Sequence, residues 1–260
     1  MFEFIQQQTS GIIFLLVLGI AAPIAAAVLW TTRVIVRRFP DVPFSPIVPA
    51  VLSTGLMTSL LLGFVFQRAW ESFDVASKNL NQEVIHLGQI ASASSFLSDE
   101  HASRVVEGVK IHIRHVLDTE WPQMATDRGP ALTRAPGLAA VKAALMFTPQ
   151  DEEERAGKQF IMSALSEAAA ARSNRIRASH ALIAAPLWWT IATLGVLLII
   201  GVAFATSVRL ATATLSVALS TLAMTSILTV IIGFHRPFSG GVAVSKEPMQ
   251  ELLAFLSREN

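Results

Sequence analysis

The sequence predicts an all-α integral membrane protein: four transmembrane helices with a helical soluble insert between the second and third spans. Three observations predict it. First, Ile12–Thr32, Val42–Gln67, Ala178–Val208 and Leu210–His235 contain no Asp, Glu, Lys or Arg. Each meets the length of roughly 20 residues that, at about 1.5 Å apiece, crosses a hydrocarbon core of about 30 Å. Lipid offers no partner to a backbone amide, so such runs must be helices. Second, 52% of the 260 residues are apolar, as a polytopic helical chain requires. Third, the segment between the second and third runs carries apolar residues at helical spacing among charges. The expected divisions are 1–68 for the first two spans, 69–181 for the insert, 182–238 for the last two spans and 239–260 for a tail.

The first span runs from about Ile12 to Trp30, with Pro23 inside it. Glu3 is the only charge before it, so it lacks the basic start of a secretory signal and reads as a permanent span. Thr31–Pro46 reads as a linker holding Arg33, Arg37, Arg38, Pro40, Pro43 and Pro46, because prolines forbid a continuing helix. The second span, about Ile47–Gln67, continues into Arg68–Glu71 without a breaker. In the insert, Phe73, Val84, Leu87 and Ile90 form one stripe. Ser98 caps a second helix over about Asp99–Met124, with Val105, Val109, His112 and Val116 on its apolar side. Thr126–Pro136 is a loop and Leu138–Met146 a short helix. Thr148-Pro149 followed by Asp151–Glu154 reads as a helix start, with Thr148 as cap and acids at the positive end. That helix ends at Arg172, Arg175 and Arg177. The third span covers about Leu182–Ala205 and the fourth about Leu210–Phe234, and a short amphipathic helix is the most the tail holds. Trp30, Trp70, Trp188 and Trp189 stand at span ends, where amphipathic rings suit the headgroup layer.

Four spans place both termini and the insert on one side. Counting Lys and Arg near span ends assigns the insert to the cytoplasm, whereas the first span taken alone favours the reverse. A net charge of +1 offers no dense basic surface, which excludes a nucleic-acid partner. No cysteine is present, so neither a disulfide framework nor a thiolate metal site is expected. His112 and His115 share a helix face, but His-x-x-His without a fixed acid is no metal signature, and no cofactor is expected. There is no phosphate loop, nucleophile elbow or His-Glu-x-x-His, so the chain does not read as an enzyme. No carboxylate or Lys lies within a span, which removes the usual proton relay.

Two lines run along the second span. Gly55, Ser59 and Gly63 repeat every four residues, the small-residue pattern of close helix packing. Thr54, Thr58, Leu61, Val65, Arg68 and Ser72 form the second line. As a pore lining around a symmetry axis, it would set a dewetting constriction at Leu61 and Val65 and favour anions at Arg68. The competing reading is ordinary bundle packing. The eight hydroxyls of the fourth span, Thr212 to Thr229, are read as bonded to helix backbone or a neighbour. Arg172, Arg175 and Arg177 are read as helix-end charges or as sites for anions and anionic headgroups.

Several segments share an order with a known family. Glu120-Trp121-Pro122 lies late in the insert, and Arg236-Pro237-Phe238-Ser239-Gly240 closes the last span. With the arginines before Pro186-Leu187-Trp188, this order resembles the bestrophin-like family of bacterial membrane proteins, named for a distant likeness to bestrophin anion channels. The resemblance departs at His235, where the family usually carries Asp. It implies a homo-oligomeric pore in the bacterial inner membrane, most simply anion-permeable, whose partners are copies of itself, the bilayer and small inorganic ions. A cation-permeable channel of the same architecture and a non-conducting scaffold are the alternatives.

Overall fold

The computed structural model describes residues 10–39, 45–126, 135–179, 183–240 and 242–258, and all regular structure among them is helical. Four helices are long and apolar enough to cross a membrane. The chain forms α1 (Ser10–Arg38), α2 (Val48–Ala93), α3 (Asp99–His115), α4 (Trp121–Met124), α5 (Pro136–Ala144), α6 (Glu152–Ala178), α7 (Ala185–Ala205), α8 (Leu210–Phe234) and α9 (Glu247–Arg258). Two compact units divide it. One holds α1, α2 as far as Glu71, α7 and α8; the other holds α2 from Ser72, α3 to α6, Arg236–Ser239 and α9.

In the first unit α1 packs on α8 and α7, and α7 on α8. Ala25, Ile199, Ala203 and Val217 form one core patch, and Leu62, Val65, Ala69, Ile191 and Ile231 another. Large apolar side chains such as Leu15, Ile20, Leu197, Leu215 and Leu219 stay exposed, the pattern of helices whose solvent is lipid. Trp30 and Trp189 are exposed, whereas Trp188 meets the His235 ring edge-on at 5.8 Å.

Helix α1 does not stop at Trp30. It runs to Arg38, so the three arginines assigned to a linker occupy its last two turns, where cations oppose the negative end of the helix. Pro23 lies within it without breaking it. Pro40 and Pro43 of that linker fall outside the described residues. Pro49 is the second residue of α2, a position that needs no amide donor. Helix α7 begins at Ala185 with Pro186 in its first turn, later than expected; Leu182 is outside the described residues.

In the second unit one core joins α2, α3, α5, α6 and α9 through Leu80, Leu87, Ile90, Val109, Ile113, Val141, Ile161 and Met249. The expected stripe Val105, Val109, His112, Val116 is fully buried. The single helix expected over Asp99–Met124 is instead α3, a π-turn at Val116–Glu120 and α4. Pro122 has no amide proton, and the wider turn before it lets the helix continue past the missing donor. Ser98 precedes α3 but makes no capping bond. Helix α6 starts four residues beyond Thr148: Asp151 is its cap, its carboxylate accepting from the Glu154 amide at 2.7 Å. The Glu154 carboxylate in turn accepts from the amides of Gln150 at 2.9 Å and Ser98 at 3.2 Å. A helix that begins with an aspartate answered by a glutamate three residues on satisfies its free donors better than one begun by Thr148. The tail folds as a full helix, α9, with Met249 and Leu256 buried.

Candidate functional site

Helix α2 has two distinct faces in its membrane part. Thr58, Leu62, Val65 and Ala69 are buried and Thr54 and Leu61 half-buried, whereas Leu56, Met57, Leu60, Gly63, Phe64 and Gln67 are exposed. The line expected to face a pore therefore lies largely on the packed side. Thr58 donates to the Thr54 carbonyl at 2.7 Å, the ordinary solution for a hydroxyl in an apolar helix. Val65 belongs to the core with Leu62 and Ile231, and Ser72 is buried. Only Arg68 of that line is open, and Glu71 accepts from it at 3.1 Å. The small-residue line is on the other side: Ser59 and Gly63 are exposed, and Gly55 is half-buried with space only for contact with Leu198. In the fourth span Thr221, Ser226 and Thr229 donate to carbonyls four residues earlier.

The second unit holds a cluster that the sequence did not reveal. Glu83 on α2, His112 on α3, Glu120 in the π-turn and Arg172 and Arg175 on α6 are all buried, Arg175 and Glu83 fully. Arg175 Nε donates to Glu83 Oε2 at 2.6 Å, and its Nη2 reaches Glu120 Oε2 at 2.8 Å. Arg172 Nε donates to Glu120 Oε1 at 2.7 Å. His112 Nε2 stands 2.8 Å from Glu83 Oε1; since a carboxylate only accepts, that nitrogen carries the proton. Two carboxylates against two guanidiniums bring the cluster to formal neutrality, the condition for burying charge. Burial alone would raise the Glu83 pKa. The Arg175 charge and the His112 hydrogen bond outweigh it and hold the carboxyl down at about 2.

Arg172 and Arg175 are thus neither helix caps nor headgroup sites; they are interior cross-links. His112 is likewise a core residue rather than a solvated one, while His115 is half-buried, 3.8 Å from Glu120. The signal lay in the α6 stripe Ile161, Ala164, Ala168, Arg172, Arg175, which keeps a buried helical period while changing from apolar to charged.

The two short motifs meet. Trp121 is buried and packs edge-on to Phe238 at 5.3 Å, with Lys246 Nζ 5.9 Å from its ring. The chain turns after Arg236-Pro237, where the Val244 amide donates to the Pro237 carbonyl at 2.7 Å. Gly240 has φ of 84°, a conformation that favours glycine. So Glu120 enters the charge cluster, Trp121 anchors the Phe238 turn, and Pro122 follows the π-turn that places both. Among the described residues no group of three or more His, Cys, Asp or Glu is arranged to hold a metal.

Comparison with curated proteins and with solved structures returned no match. The sequence does match the Bestrophin-like domain over residues 19–249, a stretch that takes in both motifs, the whole charge cluster and most of the four apolar helices. The chain belongs to the bestrophin-like family.

Proposed function

We propose that the protein is a homo-oligomeric ion channel of the bacterial inner membrane, anion-permeable, with its insert in the cytoplasm and the open face of α2 lining the path. The observation that carries this reading is the pairing of family membership with an unpacked α2 face. The family's likeness to bestrophin channels points to a channel rather than an enzyme. Leu56, Leu60, Gly63 and Gln67 follow one another at four-, three- and four-residue steps on that face, and none of them is spent on packing within the protomer. One four-span protomer has no room for an axial path, so several copies must supply it. The constriction assigned to Leu61 and Val65 moves to the exposed Leu60 and Phe64, which can gate by dewetting. Arg68, offset by Glu71, acts as a weak filter at most.

The chain has no native cysteine, so single cysteines can be read without background. A negatively charged thiol reagent applied to Gln67→Cys or Gly63→Cys in planar bilayers reduces the current severalfold, and Thr58→Cys and Val65→Cys are unaffected. Block confined to Thr58→Cys and Val65→Cys returns the path to the packed line. Under a salt gradient the current reverses near the chloride potential; reversal near the cation value overturns the selectivity. Silence from intact oligomers favours a non-conducting scaffold.

A further inference from the structure

Helix α5 is drawn onto α3 by two glycines. A Cβ at Gly137 would stand 2.2 Å from the His112 backbone, and one at Gly108 would stand 2.8 Å from the Val141 side chain. Between α5 and α6 a cavity of about 800 Å3 stays open, lined in part by the small residues Ala139, Ser166, Ala169 and Ser173. That lies within the range of about 300–1,000 Å3 typical of ligand pockets.

Its lining has a definite chemical character. Leu138, Met162 and Leu165 supply apolar wall. His115, Lys142, Arg172, Ser166 and Ser173 supply the polar groups, and no Asp or Glu lines it among the described residues. Arg172 is fixed by Glu120, whose charge Arg175 also offsets, so the buried cluster adds no net negative charge behind the cavity. Lys142, exposed in the last turn of α5, then gives the cavity a positive mouth. A pocket with apolar walls and cations at one side matches a ligand with the complementary division.

We propose that this cavity binds an organic anion with an apolar body, its acidic group towards Lys142 and His115 and its body against Leu165 and Met162. The site lies wholly in the second unit and does not depend on the channel reading.

The test uses the full-length protein in nanodiscs, with a fluoronaphthoate as probe, the matching fluoronaphthyl alcohol as uncharged control and empty nanodiscs as blank. Fluorine NMR line broadening reports binding. The carboxylate broadens with protein present, and the alcohol stays near the blank. Lys142→Glu weakens the carboxylate by about tenfold or more. Ala139→Trp and Ser166→Trp, each adding a ring from an exposed position, abolish binding. Two filling variants guard against a misfolded one, and each is accepted only if its unfolding transition matches the parent. Equal broadening by acid and alcohol overturns the proposal. So does parental binding in Lys142→Glu and a folded filling variant, which would place the anion elsewhere on the protein.

Discussion

The two units solve the same problem, a polar side chain in an apolar interior, in opposite ways. In the first unit the solution is local. Thr58, Thr221 and Thr229 each donate to a carbonyl one turn back, and no partner helix is required. In the second unit Asn79 and Ser94 still bond locally, but the buried charges are answered at a distance: Glu83 and Arg175 are 92 residues apart in sequence, and Glu120 and Arg172 are 52 apart. A local bond holds whatever the neighbouring helices do. A distant pair forms only when α2, α6 and the π-turn are all in place, so it selects one arrangement. The units should therefore differ sharply in their response to loss of a polar group.

The largest difference is expected at the charge cluster. Glu83→Gln leaves Arg175 without one of its two carboxylates in a fully buried site, and should cost roughly 3–5 kcal/mol of unfolding free energy. Thr221→Val removes a hydroxyl from a carbonyl that the helix already supplies with a donor, and should cost less than about 1 kcal/mol. Denaturant unfolding of the detergent-solubilised protein measures both. Equal costs would erase the distinction between local and distant solutions. A Glu83→Gln/Arg175→Met double variant that recovers much of the loss would show that the penalty comes from the stranded charge.

Acid should act on the same pair. The Glu83 carboxyl is held below its ordinary value of 4.5, at about 2 in the folded chain. A depressed carboxyl contributes stability that is complete above pH 4.5 and is lost as pH falls through about 2. The parent should lose stability across that window, and Glu83→Gln should flatten that part of the profile. A parent and variant with parallel profiles would mean that Glu83 is not ionised in the fold.

Backbone approach gives the next contrast. Gly137→Ala places a methyl against the His112 backbone, with no flexible side chain to yield, and should cost about 1–3 kcal/mol or more. Gly63→Ala meets nothing within 4 Å and should leave the protomer as stable or up to about 1 kcal/mol more so, through helix propensity alone. Thermal unfolding at matched detergent resolves the pair. A destabilising Gly63→Ala would mean that a second copy already rests on that line, which would take Gly63 out of the pore lining and return it to helix packing.

Charge-free length made the four apolar helices legible, since lipid tolerates no other reading of such runs. The stripe Val105, Val109, His112, Val116 was legible from its period, and the motif pair Glu-Trp-Pro and Pro-Phe-Ser-Gly only through its resemblance to a family. Direction was not. Along α2 an apolar residue suits lipid, a neighbouring helix and a dewetted pore alike, so hydropathy cannot tell Leu61 from Leu60; only packing turned one half inward and left the other exposed. The charge cluster was hidden for another reason. A buried Arg and a surface Arg are the same letter, and their partners lie dozens of residues away. The π-turn escaped because one additional residue per turn leaves no mark in composition.

The smallest effect separates two candidate starts of α6. Sequence favoured Thr148 as cap, with Pro149 as the first helical residue. The structure uses Asp151, whose carboxylate takes the Glu154 amide, while Glu154 holds the amides of Gln150 and Ser98. Asp151→Ala should therefore cost about 1 kcal/mol, and Thr148→Ala, at an exposed position, close to nothing. The reverse order would move the helix start back to Pro149. Glu154→Ala should exceed either, because it frees a donor at the α6 start and another at the start of α3. That ranking, Glu154 above Asp151 above Thr148, makes a capping residue part of the distant class: a side chain that serves its own helix and also fixes the junction before α3.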